Sequence, residues 1–206
     1  MNPIPVGQPA PPFRLPAAAG GEVGPQDFRG KANVIVWFTK GMACPFCRQQ
    51  MSQLARGYER FRQKNAELLE VTVTKPERAR FYADRFRLPF PYLCDPDYAA
   101  RRSWGLDVRS HSPFWYASAF AAGARVVPPE NDFGKFPPAL RDVPGVLVDD
   151  DMGFFVLDRA GIVRHATTGS YAVPGGTRAL PGNDEIERLL GDCERSAADD
   201  RAAGST

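Results

Sequence analysis

Cys44-Pro45-Phe46-Cys47 follows the apolar run Val34-Ile35-Val36-Trp37-Phe38 and precedes a long helical pattern. Two thiols thus cap a strand-to-helix junction. A thiolate is the reactive form of cysteine, and the first turn of a helix offers free N–H groups and a positive dipole end to hold one. A C-x-x-C in that setting reads as a redox motif. A free cysteine with a pKa near 8.5 is only about 3% thiolate at pH 7, and lowering it to about 6.5 raises that fraction to about three quarters. The shift needs about 2.7 kcal/mol. A helix terminus supplies about 0.3–1 kcal/mol, and up to about 2 when partly buried, so local donors must add the rest. The N–H groups of Phe46 and Cys47 and the Cys47 thiol are the nearest, with Lys40 and Arg48 as cations. Pro45 lacks an N–H and suits the first helical position.

Apolar residues at Cys47, Met51, Leu54, Tyr58 and Phe61 draw one helical stripe that includes Cys47 and leaves out Cys44. The expected roles follow from exposure: Cys44 as an exposed nucleophile, Cys47 as a buried resolving thiol. If Cys44 attacks an O–O bond it becomes a sulfenic acid, which Cys47 condenses into a disulfide. If it attacks a partner disulfide, Cys47 releases the mixed disulfide. Both routes end in a redox-active Cys44–Cys47 bond that an external dithiol must reduce.

Plainer readings compete at each residue. The C-x-x-C could be half of a zinc site, but Cys94 and Cys193 are far apart and unpaired with histidine, so no metal or other cofactor is expected. Cys94 reads as a small buried hydrophobe and Cys193 as a late residue of the last helix. His111 and His165 are lone histidines and read as structural. Arg48, a charged first-turn residue, is expected to be solvated.

The elements that must position the thiols are legible from punctuation. Residues 1–27 form an extended, proline-studded arm with a turn at Gly20-Gly21. The run from Asn33 to Phe38 suits a central strand buried on both faces. After the motif helix come a strand Leu68–Val73, a helix Pro76–Phe86, a short strand Tyr92–Cys94 and a helix Asp97–Trp104. Strands alternating with helices indicate an α/β fold with a parallel sheet. Residues 105–153 are irregular and aromatic, an insert in which Ser112-Pro113 signals a helix start and through which Trp104, Phe114, Trp115, Tyr116, Phe120, Phe133 and Phe136 need burial. Phe154–Asp158, the turn Arg159-Ala160-Gly161 and Ile162–Thr167 make a hairpin, followed by a helix near Asp184–Arg195 and a frayed tail, 197–206.

A chain of 206 residues with 43% apolar and 24% charged residues suits a single domain, 1–206. Its net charge of +2 is interspersed, so neither nucleic acid nor a membrane surface is an expected partner. Four cysteines are too few for a disulfide framework, and Met1–Gly20 has no basic head or apolar stretch, so a reducing cytoplasm is expected.

The order of elements resembles the thioredoxin fold, and four further blocks narrow the likeness. Val6-Gly7-Gln8-Pro9-Ala10-Pro11-Pro12-Phe13-Arg14-Leu15 is similar to the G-x-x-A-P-x-F-x-L arm of the peroxiredoxin-like redoxins, the alkyl hydroperoxide reductase and thiol-specific antioxidant family. Phe28-Arg29-Gly30-Lys31 resembles their lead-in to the first core strand. Phe90-Pro91-Tyr92-Leu93-Cys94-Asp95-Pro96 follows their F-P-x-L-x-D-P run, and Phe154 to Arg164 their F-x-x-D-x-x-G-x-x-R hairpin. The resemblance implies a thioredoxin-like fold with a central mixed sheet flanked by helices. It also implies an antioxidant oxidoreductase with peroxide or disulfide substrates, a thioredoxin-like dithiol reductant, and an assembly that could be a homodimer. The chain departs from the family's P-x-x-x-T-x-x-C, because Gly41 and Trp37 stand three and seven residues before Cys44. Met152-Gly153 stands where the family has an arginine. A second reading stays open: a redoxin scaffold whose catalysis has lapsed and whose aromatic insert binds a ligand or partner.

Overall fold

The computed structural model describes residues 4–42, 44–109, 112–115, 117, 133, 149–170 and 180–203. A six-stranded sheet organises them, with β3 (Asn33–Thr39) between β4 (Ala66–Thr72) and β7 (Asp149–Leu157). Strand β5 (Tyr92–Cys94) extends the sheet beyond β4, while β6 (Val108–Arg109) and β8 (Val163–Ser170) both pair with β7. The pairs β3/β4 and β4/β5 are parallel, and β7 runs antiparallel to β3 and β8, so the sheet is mixed as expected. A two-stranded antiparallel ribbon, β1 (Leu15–Pro16) with β2 (Glu22–Val23), folds the arm around its glycine turn.

Helices cover both faces. Helices α1 (Pro45–Gln63), α2 (Pro76–Phe86) and α4 (Asn183–Ala203) lie on one side, where Ile35, Trp37, Leu68, Tyr92, Phe154 and Val156 share a cluster with Met51, Tyr82 and Leu190. The arm and α3 (Ala99–Ser103) cover the other, where Val34, Val36 and Phe38 meet Phe13, Leu15 and Trp104. Alternate β3 residues thus enter two cores, which is why its sequence is continuously apolar.

The family blocks have local physical roles. Asp95 accepts the N–H groups of Ala100 and Arg101 at 3.1 and 2.9 Å and so caps α3. Asp158 accepts the N–H groups of Ala160 and Ile162 and the Nε–H of Arg164 at 2.7 Å, which closes the β7/β8 hairpin. The arm is held to that hairpin by Gly7 N–H to Val163 O and Ala10 N–H to Gly161 O.

Several boundaries differ from expectation. Strand β6 (Val108–Arg109) and the start of β7 at Asp149 fall within the 105–153 read as irregular. Tertiary pairing carries the acidic residues Asp149-Asp150-Asp151 into β7: the Asp151 amide donates to Asp107 O and its carboxylate accepts the Asp107 N–H. Helix α4 runs to Ala203, beyond the expected helix end near Arg195. Trp104 belongs to the main core, its ring 4.9 Å from Phe155 and its Nε1 donating to Pro11 O, while Phe114 is 84% exposed. Residues 113–115 and 117 are helical, with the Trp115 N–H donating to Ser112 Oγ; the rest of that expected helix, together with His111, Tyr116, Phe120 and Phe136, lies outside the described residues.

Candidate active site

Beyond β3 the chain turns through Lys40, Gly41 and Met42. Gly41 has φ +75°, and a Cβ there would lie 2.3 Å from Tyr92 Oη, so the turn needs glycine. The Tyr92 hydroxyl accepts the Met42 N–H at 3.2 Å and shares a hydrogen bond with Thr74 Oγ1. The loop is therefore tied to β5, and the Cys44 N–H donates back to Gly41 O at 3.1 Å. Cys44 is the N-cap of α1 and Pro45 occupies the first turn. The Cys47 N–H donates to Cys44 Sγ at 3.4 Å, so a backbone donor at the helix start faces that sulfur. No carboxylate stands in the first turn to compete for the positive dipole end. Both cysteines are reduced.

The expected exposure of Cys44 is corrected: it is only 3% exposed. The fold-back of the Gly41 turn brings Met42 into the same apolar cluster and closes over the helix start. The expected solvation of Arg48 is also corrected, since it is 5% exposed. Helical side chains lean toward the N-terminus, and Arg48 does so, with Nη1 donating to Met42 O at 3.3 Å. Burial lowers its pKa, opposed by the charges of Cys44, Cys47 and Tyr82, which places the guanidinium within electrostatic reach of both thiols. Lys40, the other proposed cation, is buried as well.

Cys47 is fully buried, and its thiol is pushed well up, first by burial and then by the hydrogen bond and charge of Cys44; Thr39 and the Lys40 backbone pull the other way. It is thus the sulfur that keeps its proton. Sequence reasoning missed a second buried acid on the same face, Glu70 of β4, which pairs in register with Trp37 and Tyr92. Burial, and then the charge of Cys47, raise its pKa well above the ordinary value. In the unfolded chain Glu70 ionises at about pH 4.3, whereas in the folded protein it keeps its proton well beyond that. Between those values the folded state binds the extra proton, so stability falls as pH rises. Glu70→Gln removes this dependence, and its urea midpoint is expected to gain on wild type from about pH 5 to about pH 8. A gap that does not change with pH would contradict a protonated Glu70.

A guanidinium also reaches the edge that lacks the family's arginine. Arg101, buried on α3, donates to Thr39 O at 2.9 Å and to Asp151 O at 2.6 Å, joining the end of β3 to β7 beside Met152. No motif or spacing in the sequence singles Arg101 out. Cys94 and Cys193 are buried, with thiols pushed up by burial to about 11 and about 12. His165 stacks edge-on against Phe154 and bonds to Thr167, which fits its structural reading. Among the described residues no group of three His, Cys, Asp or Glu side chains could hold a metal ion, and no helix is long and apolar enough to cross a membrane.

The family model described as the AhpC/TSA family matches residues 6–127. The chain is similar to a putative peroxiredoxin of Mycobacterium tuberculosis, 33% identical over 99 residues that cover 48% of this chain and 62% of that protein. It is likewise similar to the chloroplastic peroxiredoxin Q of Sedum lineare, 31% identical over 100 residues, 48% of this chain and 53% of that one. The chain spans about half the length of the curated relatives it matches. The crystal structure of the reduced 2-Cys peroxiredoxin of Plasmodium vivax superposes with a TM-score of 0.62 over 94% of this chain and 98% of that one, at 18% identity, which establishes a shared thioredoxin-like fold. With more than half of its residues matched by the family model, the chain belongs to the AhpC/TSA family.

Proposed function

We propose that the protein is a thiol peroxidase in which Cys44 attacks peroxide and Cys47 resolves the product. The Cys44 thiolate attacks one peroxide oxygen, the O–O bond breaks, and the departing oxygen takes a proton to leave as water or an alcohol. The Cys44 sulfenic acid is then attacked by the Cys47 sulfur, water leaves, and the Cys44–Cys47 disulfide closes. An external dithiol of the thioredoxin type restores both thiols. The observation that carries this reading is the Cys47 N–H directed at Cys44 Sγ, which holds two reduced sulfurs on one helical turn beside a buried guanidinium. The names of the relatives support peroxide as the substrate class.

We read the chain as one redoxin domain acting in a reducing compartment such as the cytoplasm. Phe133 packs 5.6 Å from Phe86 of α2 and against the cluster that includes Cys44 and Cys47, so a bulky apolar side chain lines this face. The test mixes the reduced protein with hydrogen peroxide, a lipid hydroperoxide and a model disulfide, and follows its thiols by mass. Loss of two hydrogens with either peroxide is the expected result, whereas reaction with the disulfide alone would replace peroxidase by thiol-disulfide exchange. Cys47→Ser is expected to complete one turnover, accumulate oxygen adducts on Cys44 and fail to recycle. Normal recycling by that variant would remove Cys47 from the mechanism.

A further inference from the structure

Glu70 is the one buried carboxyl on the α1 face with both oxygens unpaired among the described residues. Its place follows from the sheet. Side chains in register on neighbouring parallel strands point to the same face, and Glu70 lies between Trp37 of β3 and Tyr92 of β5, both in the cluster that includes Cys44 and Cys47. Leu68, two residues back along β4, belongs to that cluster too. Burying a carboxyl without a partner costs stability, and an apolar residue of similar volume would serve packing better.

We propose that Glu70 supplies the proton that Cys47 needs when the Cys44–Cys47 disulfide is reduced. The step presupposes the dithiol of the proposed function and assigns its proton traffic. A thiolate of the reductant dithiol attacks Cys44 Sγ; the S–S bond breaks, and its electron pair goes to Cys47 Sγ. That sulfur is fully buried and holds an anionic charge poorly, so the Glu70 carboxyl gives it a proton and becomes a carboxylate. The reductant's second thiol then attacks the mixed disulfide and its proton returns to Glu70. The reductant leaves as a disulfide, oxidised by two electrons, and Cys44 is released as the thiolate.

The surroundings of Glu70 single out Cys47 as its exchange partner. From β3 it is faced by Trp37 and Thr39, from β5 by Tyr92 and Cys94, and from its own strand by Thr72. Helix α1 brings Cys44, Cys47 and Arg48 to this face, and α2 brings Tyr82. Of these only Cys47 acts on Glu70 through its charge, and Tyr92 in turn feels the charge of Glu70. Burial raises the Glu70 pKa well above the ordinary carboxylate value and so favours the protonated form, which can donate.

The test uses the full chain as wild type, Glu70→Gln and Glu70→Leu, with the disulfide formed by diamide and then reduced by dithiothreitol across about pH 5.5 to about 8.5. After correction for the dithiothreitol thiolate fraction, the wild-type rate is expected to fall as pH rises. Glu70→Gln, which lacks an ionisable acid, is expected to be slower at neutral pH by on the order of 10²-fold, with a flat corrected profile. Its first oxidation by hydrogen peroxide should stay within about twofold of wild type, since Cys44 needs no proton from Glu70 in that step. Glu70→Leu should melt at or above the wild-type temperature, because no unpaired polar group is then buried at the site, and Glu70→Gln should remain folded. Glu70→Gln with the wild-type rate and profile would overturn the proposal, as would slowing by one factor at every pH, or failure of both variants to fold. Should wild type ignore peroxides yet show Glu70-dependent reduction of the diamide-formed bond, the peroxidase reading falls and the proton role stands. Should diamide form no Cys44–Cys47 bond, both fall.

Discussion

Cys44→Ser is expected to lower peroxide consumption by on the order of 10³-fold or more, because a serine hydroxyl does not ionise at neutral pH and nothing else at the helix start can replace the sulfur. The fold should survive, since the two side chains are close in size and the Cys44 N–H and C=O bonds to Gly41 and Arg48 are made by the backbone. The assay couples peroxide loss to a dithiol reductant, with circular dichroism as the control. A folded variant that keeps a tenth of the wild-type rate would remove Cys44 from the chemistry. Cys47 is a poor substitute as the peroxide nucleophile, because it is fully buried and burial pushes its thiol pKa well up.

Arg48→Met is expected to slow alkylation of Cys44 about tenfold at pH 7 and to approach the wild-type rate at higher pH. An opposite charge nearby lowers a thiol pKa by about 1–3 units, and methionine keeps much of the apolar stem while removing that charge. Magnitudes indicate why Arg48 matters. The helix start supplies at most about 2 kcal/mol, and a hydrogen bond to a charged acceptor about 1.5–3 kcal/mol. These reach the requirement of about 2.7 kcal/mol for an exposed thiol. Cys44 is nearly buried, which disfavours the anion, and the guanidinium offsets that cost. Iodoacetamide kinetics against pH separate this role from packing: a packing defect would shift the rate without moving the profile.

Elements with strong local signals were legible in the sequence. Helix α2 starts at Pro76, where proline suits the first turn, and β5 spans Tyr92–Cys94, both to the residue. The two-faced apolar run of β3 and the C-x-x-C at its exit fixed the sheet centre and the thiol pair. What stayed hidden depends on tertiary partners. Arg48 reads as a solvated helix charge, yet it folds back over the helix start to Met42 O, and Arg101, which no motif singled out, bridges β3 to β7. Glu70 had a usable signal that went unread: a strand next to the central one in a doubly covered sheet buries both faces, so a glutamate within it must be buried. The exposure of Cys44 was misjudged because helix starts are usually open, and the closing turn at Gly41 depends on Tyr92, fifty-one residues away.

The ionisation of Cys44 itself bears most directly on this account. In Cys47→Ser, which leaves one thiol at the junction, absorbance at 240 nm and the alkylation rate are followed from about pH 4 to about pH 10. The prediction is that most of Cys44 is already thiolate at pH 7 and that Arg48→Met, added to the same protein, shifts the curve upward. A thiol that ionises no earlier than a free cysteine, near pH 8.5, with equally slow alkylation, would contradict it and favour a binding protein on a redoxin scaffold.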